Sequence, residues 1–94
     1  MDKTYTIAGK EYRIGKITNR VRRDVFALIE DEEGNMKPGM LNKDPDKFNK
    51  FYKLVLDGET AGVDFDGEGE LSVLSEVQSD FFTALNPRTT DAKD

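Results

Sequence analysis

The spacing of large apolar side chains after Asp44-Pro45 constrains the fold more than any other feature. Four of them follow at positions i, i+3, i+4 and i+7, the period of one face of an α-helix; they are Phe48, Phe51, Tyr52 and Val55. Aspartate is a favoured N-cap, and proline is favoured at the first helical position. Asp57-Gly58 is typical of a helix end. The pattern predicts a helix over about 45–57.

A second apolar stripe predicts a helix over about 71–85, which Asn86-Pro87 ends. Its main face comprises Leu71, Leu74, Val77, Phe81 and Leu85, and Val73 and Phe82 widen it. Leu54 and Leu56 widen the first stripe, so both stripes exceed the ~100° arc that a surface helix needs. Either the other segments cover the surplus or it faces a partner, and we expect part of it to face a partner. The predicted partner-binding residues are Phe48, Phe51, Tyr52, Val55, Val77, Phe81, Phe82 and Leu85.

The N-terminal part predicts a β-hairpin over 4–17. Tyr5 and Ile7, then Tyr12 and Ile14, alternate with polar residues on either side of Ala8-Gly9-Lys10, as in two strands with one buried face. A first helix follows over about 19–30, capped by Thr18 or Asn19. The predicted fold class is α+β and mainly helical, a short N-terminal hairpin followed by three helices. We expect one small domain over 1–86 and a flexible polar tail over 87–94.

The composition of the 94-residue chain argues against catalysis. It has no histidine and no cysteine, so the usual general base, the commonest metal ligand and any disulfide framework are missing. We therefore predict a protein that is not an enzyme and has no cofactor and no metal site. No apolar run is long enough to span a bilayer, and the N-terminus has no apolar signal region. These features predict a cytoplasmic protein that binds another protein.

Charge is distributed unevenly along the sequence. Residues 1–30 carry a net charge of +3, whereas residues 57–80 contain eight acids and no base, within a chain of net charge −5. The two regions could attract each other within one chain, steer a partner or build a homo-oligomer. A basic cluster could also contact nucleic acid, although the acidic pI near 4.7 makes this the weaker hypothesis. That cluster comprises Arg13, Lys16, Arg20, Arg22 and Arg23.

The acidic loop 64–70 partly resembles a calcium loop. Starting at Asp64, it has acids at positions 1, 3 and 5 and glycine at position 6, as an EF-hand does. Position 12, where a bidentate glutamate belongs, is Ser75, and Glu76 comes one residue late. A weak calcium site and a solvated turn near a helix N-terminus both fit this sequence.

The segment Thr4-Tyr5-Thr6-Ile7-Ala8-Gly9-Lys10-Glu11-Tyr12-Arg13-Ile14, which leads into a helix, resembles the opening of phage and prophage tail assembly chaperones. The resemblance is specific only over about the first 30 residues. It implies binding to the tape-measure and tail-tube proteins of a long-tailed phage during tail morphogenesis, in the host cytoplasm. The alternatives are a structural head–tail or tail component that remains in the virion, and a small acidic regulatory binding domain.

Overall fold

The structure, a computed structural model, describes residues 3–85. The predicted tail at 87–94 lies outside the described residues. Strands β1 (Tyr5–Ile7) and β2 (Lys10–Ile14) form an antiparallel hairpin in which Tyr5 faces Tyr12. Ala8 and Gly9 both have positive φ, at 53° and 81°, as a two-residue hairpin turn that matches the strand twist requires.

Three helices and two shorter helical segments follow the hairpin. Helix α1 is Asn19–Ile29, α2 is Pro45–Val55, and α4 is Leu71–Leu85. The segment between α1 and α2 contains a 3₁₀ helix, Pro38–Lys43, and the acidic loop contains the short helix α3, Phe65–Glu68. The α+β, mainly helical fold class predicted from the sequence is confirmed.

The N-caps explain where α1 and α2 begin. The Thr18 hydroxyl accepts a hydrogen bond from the Val21 N–H at 3.2 Å. The Asp44 carboxylate accepts from the N–H groups of Asp46 and Lys47, at 3.0 and 3.5 Å. Each cap satisfies donors that the first helical turn leaves without an internal partner.

The prediction that the second helix extends to residue 57 is wrong, because Leu56–Asp57 forms a third strand, β3. It pairs antiparallel with β2, so the sheet order is β1-β2-β3, and Ile14 faces Leu56. The Gly15 N–H donates to the Val55 carbonyl at 2.8 Å and extends this connection. The free edge of β2 therefore provides hydrogen-bond partners for the backbone of Leu56 and Asp57, which would otherwise form hydrogen bonds within another turn of α2.

The core lies between the sheet and the helices. The sheet contributes the alternating residues Tyr5, Ile7, Tyr12 and Ile14, all buried. Helix α4 packs on β1, and α2 packs on α1, α3 and the 3₁₀ helix. Both connecting segments also contribute to the core, since Leu41 and Phe65 are fully buried. Among the described residues, no helix has the length and the apolar run that crossing a membrane requires.

Candidate protein-interaction surface

Six of the eight predicted partner-binding residues lie in the core, and they are Phe48, Phe51, Tyr52, Val55, Val77 and Phe81. Phe82 and Leu85 are partly buried and pack against the edge of the core. In this conformation only these last two keep side-chain surface that a partner can contact. A binding role for the other six stays a prediction, and it requires the fold to open.

Aromatic contacts explain why these residues are buried. The Phe51 ring lies 5.5 Å from the Phe81 ring, edge to face, and 5.7 Å from the Phe82 ring, stacked. Tyr52 lies 5.5 Å from Phe65, so the acidic loop covers one side of α2. The adjacent Phe81 and Phe82 rings also contact each other, with centroids 5.4 Å apart and planes at 79°, so the three phenylalanine rings form one cluster. The chain itself thus covers most of the two helical stripes, whereas Leu71 of the α4 stripe is 75% exposed.

The buried hydroxyl of Tyr52 fixes the distance between α2 and α4. It donates to the Leu74 carbonyl at 2.8 Å and accepts from the Gln78 side-chain amide at 3.1 Å. Burial raises the pKa of Tyr52 well above its usual range, against a smaller opposing effect of the Gln78 hydrogen bond. Because the buried hydroxyl both donates and accepts a hydrogen bond, it stabilises one particular packing of the two helices.

A second polar cluster joins β1 to α4. The Asp80 carboxylate accepts from the Tyr5 hydroxyl at 2.7 Å and from the Lys3 ammonium at 3.0 Å, and Lys3 also pairs with Glu76. The hydrogen bond from Tyr5 and then that from Lys3 hold the pKa of Asp80 below its usual range. Burial and the carboxylate raise the pKa of Tyr5 to about 12. Lys3 thus links the basic N-terminal region to the acidic stretch 57–80.

Two grooves with apolar lining residues border helix α1. A first groove of about 410 Å³ lies on one side, with Phe26, Ala27 and Met36 among its lining residues. A second groove of about 340 Å³ lies on the other side, between α1 and α2, and includes Leu28 and Leu54. Ala27 lines both grooves and is exposed. We call the two grooves and this shared residue the α1 surface.

Basic side chains border the α1 surface on both sides. Arg22 and Arg23 line the first groove, and Lys50 and Lys53 line the second. The Arg22 guanidinium lies 5.7 Å from the centre of the Phe26 ring, within the range of a cation–π contact. Among the described residues, none of these four cations has a carboxylate oxygen within 4.0 Å. They are therefore available to carboxylates of another molecule.

The predicted basic cluster extends over strand β2, the connection after it and helix α1. Arg22 and Arg23 line the first groove, whereas Arg20 lines neither groove. Within residues 3–85, no member of the cluster forms an ion pair with the acidic stretch 57–80. Within residues 3–85, the ion pairs between the two regions are those of Lys3 with Glu76 and Asp80, and the Ala8 N–H also donates to the Glu70 carboxylate at 3.2 Å.

The acidic loop is organised as a helix start. Asp64 caps α3 by accepting from the Gly67 N–H at 3.2 Å, and it also accepts from the Asn49 amide at 3.0 Å. The hydrogen bonds from Asn49 and then Gly67 hold the pKa of Asp64 below its usual range. Within residues 3–85, no three His, Cys, Asp or Glu side chains are placed to share a metal ion.

Sequence reasoning missed the α1 surface, although one signal was present. Ala27 stands among charged residues on the side of α1 opposite Val25 and Ile29, where a solvated helix face more often carries long polar side chains. The walls of the grooves come from Met36 and from α2, and their position depends on tertiary packing.

Comparisons with protein-family models, with curated proteins and with solved structures found no match to this chain.

Proposed function

We propose that this protein is a small adaptor that binds another protein through the α1 surface. The observation that carries the proposal is the pairing of two apolar grooves with four basic side chains that form no ion pair within residues 3–85. Apolar floors with charged rims are the usual anatomy of a protein-binding site. The core is complete without this surface, so binding requires no unfolding.

The specific role that we propose is that of a tail assembly chaperone of a long-tailed phage. The support is the resemblance of residues 4–14, together with the hairpin that leads from this segment into α1. In that role the chain binds the tape-measure protein and presents it to tail-tube subunits. Long amphipathic helices of a partner suit grooves that accept one apolar face and leave the other in water.

A pull-down with the purified tape-measure protein of the same phage tests the role. We expect capture by the wild-type chain and loss of capture by Ala27→Glu, which places a carboxylate between the two grooves. Ala61→Glu is the matched control, because Ala61 is exposed and lines neither groove. Failure of the wild-type chain to capture the protein at low salt contradicts the role.

Mass spectrometry of mature virions separates a chaperone from a structural component. A chaperone leaves before the tail is complete, so we expect the chain to be absent from purified particles. Its presence at the copy number of a tail protein contradicts the chaperone role and supports the structural alternative.

A further inference from the structure

We propose that the α1 surface receives an acidic amphipathic α-helix, with apolar side chains along one face and carboxylates beside them. This inference rests on the proposed adaptor function and names the chemistry of the segment that is bound. It is drawn from three features of the α1 surface. These are its continuity across Ala27, its charge, and its apolar area compared with the exposed apolar area that a second copy of the chain could place on it.

The grooves form one surface because the residue between them is small. Ala27 lines both, so no long side chain separates the first groove from the second. Helix axes approach to about 8–10 Å depending on the side chains at the contact, and alanine permits the shorter distances. A helix crossing at Ala27 can place apolar side chains into both grooves, with Phe26 and Met36 on one side and Leu28 and Leu54 on the other.

The net positive charge of the α1 surface favours a partner with negative charge. Four basic side chains and two acidic ones, Asp24 and Glu30, line the grooves, which gives a net charge of +2 on a chain whose net charge is −5. Complementary rims accelerate encounter with an acidic helix, and like charges disfavour a basic one.

A second copy of the chain fits the surface less well. Its acidic stretch supplies carboxylates, but within residues 3–85 the exposed large apolar side chains are Leu71, at 75%, and Met36, at 45%, while Phe82 and Leu85 are partly buried. The neighbouring Val63, Phe65 and Leu74 are buried in the core. One leucine covers little of two grooves, whereas a stable interface buries about 800 Å² on each partner. A helix with a full apolar face supplies that area.

Fluorescence anisotropy with a labelled synthetic peptide tests the proposal. The probe is a helix of roughly five turns, with leucines at i, i+3, i+4 and i+7 and glutamates at its other positions. The control probe keeps the leucines and carries lysines instead. Since each exposed ion pair contributes about a factor of two, we expect the acidic probe to bind about tenfold more tightly at low salt. The difference should narrow as salt rises.

The protein variants locate the binding site. Ala27→Glu should weaken binding of the acidic probe about tenfold, through repulsion and lost groove contact, while Ala61→Glu should leave binding unchanged. Circular dichroism verifies that both variants fold. Equal binding of the two probes, absence of binding, or equal loss in both variants overturns the proposal.

Sedimentation of the chain alone tests the competing occupant. We expect a monomer at the concentrations of the binding assay. Self-association that Ala27→Glu abolishes identifies a second copy as the occupant and overturns the proposal. The pull-down tests the adaptor role separately. If the acidic probe binds but the tape-measure protein is not captured, the chaperone role is contradicted and the acidic-helix proposal stands. If the tape-measure protein is captured but the acidic probe does not bind, the acidic-helix proposal is contradicted and the chaperone role stands.

Discussion

Replacing Phe51 with alanine should lower the free energy of unfolding by about 4 kcal/mol. The side chain is fully buried, and a buried phenylalanine removes roughly 150 Å² of apolar surface from water, worth about 25 cal/mol per Å². The rings of Tyr52, Phe81 and Phe82 lie 4.9, 5.5 and 5.7 Å away. These rings are packed against the rest of the core and cannot fill all the space that the Phe51 ring leaves, so a cavity adds to the loss of stability.

Urea unfolding followed by circular dichroism measures this change. Domains of this size have a total stability of about 5–15 kcal/mol, so Phe51→Ala should remove a large share of it and leave about 1–11 kcal/mol. Leu71→Ala is the control, because Leu71 also belongs to a predicted apolar stripe but is 75% exposed. We expect it to change stability by less than about 0.5 kcal/mol. A loss below about 1 kcal/mol for Phe51→Ala would refute the assignment of the α2 stripe to the core.

Three further predictions concern the pH dependence of stability, a glycine with positive φ and a helix cap. The hydrogen bonds from Tyr5 and then from Lys3 lower the folded pKa of Asp80 below 3.8, so the resulting stabilisation is present above pH 3.8 and is lost as pH falls through the folded pKa. The unfolding free energy of Asp80→Asn should therefore depend less on pH below about pH 5 than that of the wild-type chain, and an unchanged profile contradicts this. Gly58 has φ +136°, a backbone conformation that strains an alanine, so Gly58→Ala should lower the free energy of unfolding, measured by thermal unfolding, by more than about 1 kcal/mol. Gly39→Ala is the control, because a Cβ at Gly39 meets open space, and it should be tolerated. Equal losses of stability in the two variants contradict the strain. Asp44→Ala should cost about 1 kcal/mol in urea unfolding, and no loss contradicts the cap.

Local signals in the sequence account for most of the fold. The alternation from Tyr5 to Ile14 and the caps at Thr18 and Asp44 each act within a few residues, and the hairpin and helices follow from them. Strand β3 could not be predicted in this way. Leu56 continues the helical stripe of α2, and only the distant edge of β2 makes a strand the better solution.

The burial of the apolar stripes depends on contacts far apart in sequence. Phe65 stands alone among acidic residues, and nothing local distinguishes it from a loop residue. Its ring is buried because Tyr12 and Tyr52, at 5.8 and 5.5 Å, form its surroundings. The candidate site is similar in this respect, since the walls around Ala27 come from segments on either side of α1. Stripe width alone therefore overestimated the apolar surface left for a partner.

Backbone amide NMR during titration with the acidic probe tests most directly which surface binds. If the α1 surface is the binding site, the largest chemical-shift changes should fall in residues 22–30 and 50–54, with residues 77–85 unaffected. Changes concentrated in 77–85, where Phe81 and Phe82 lie, would show instead that the partner enters the core between α2 and α4.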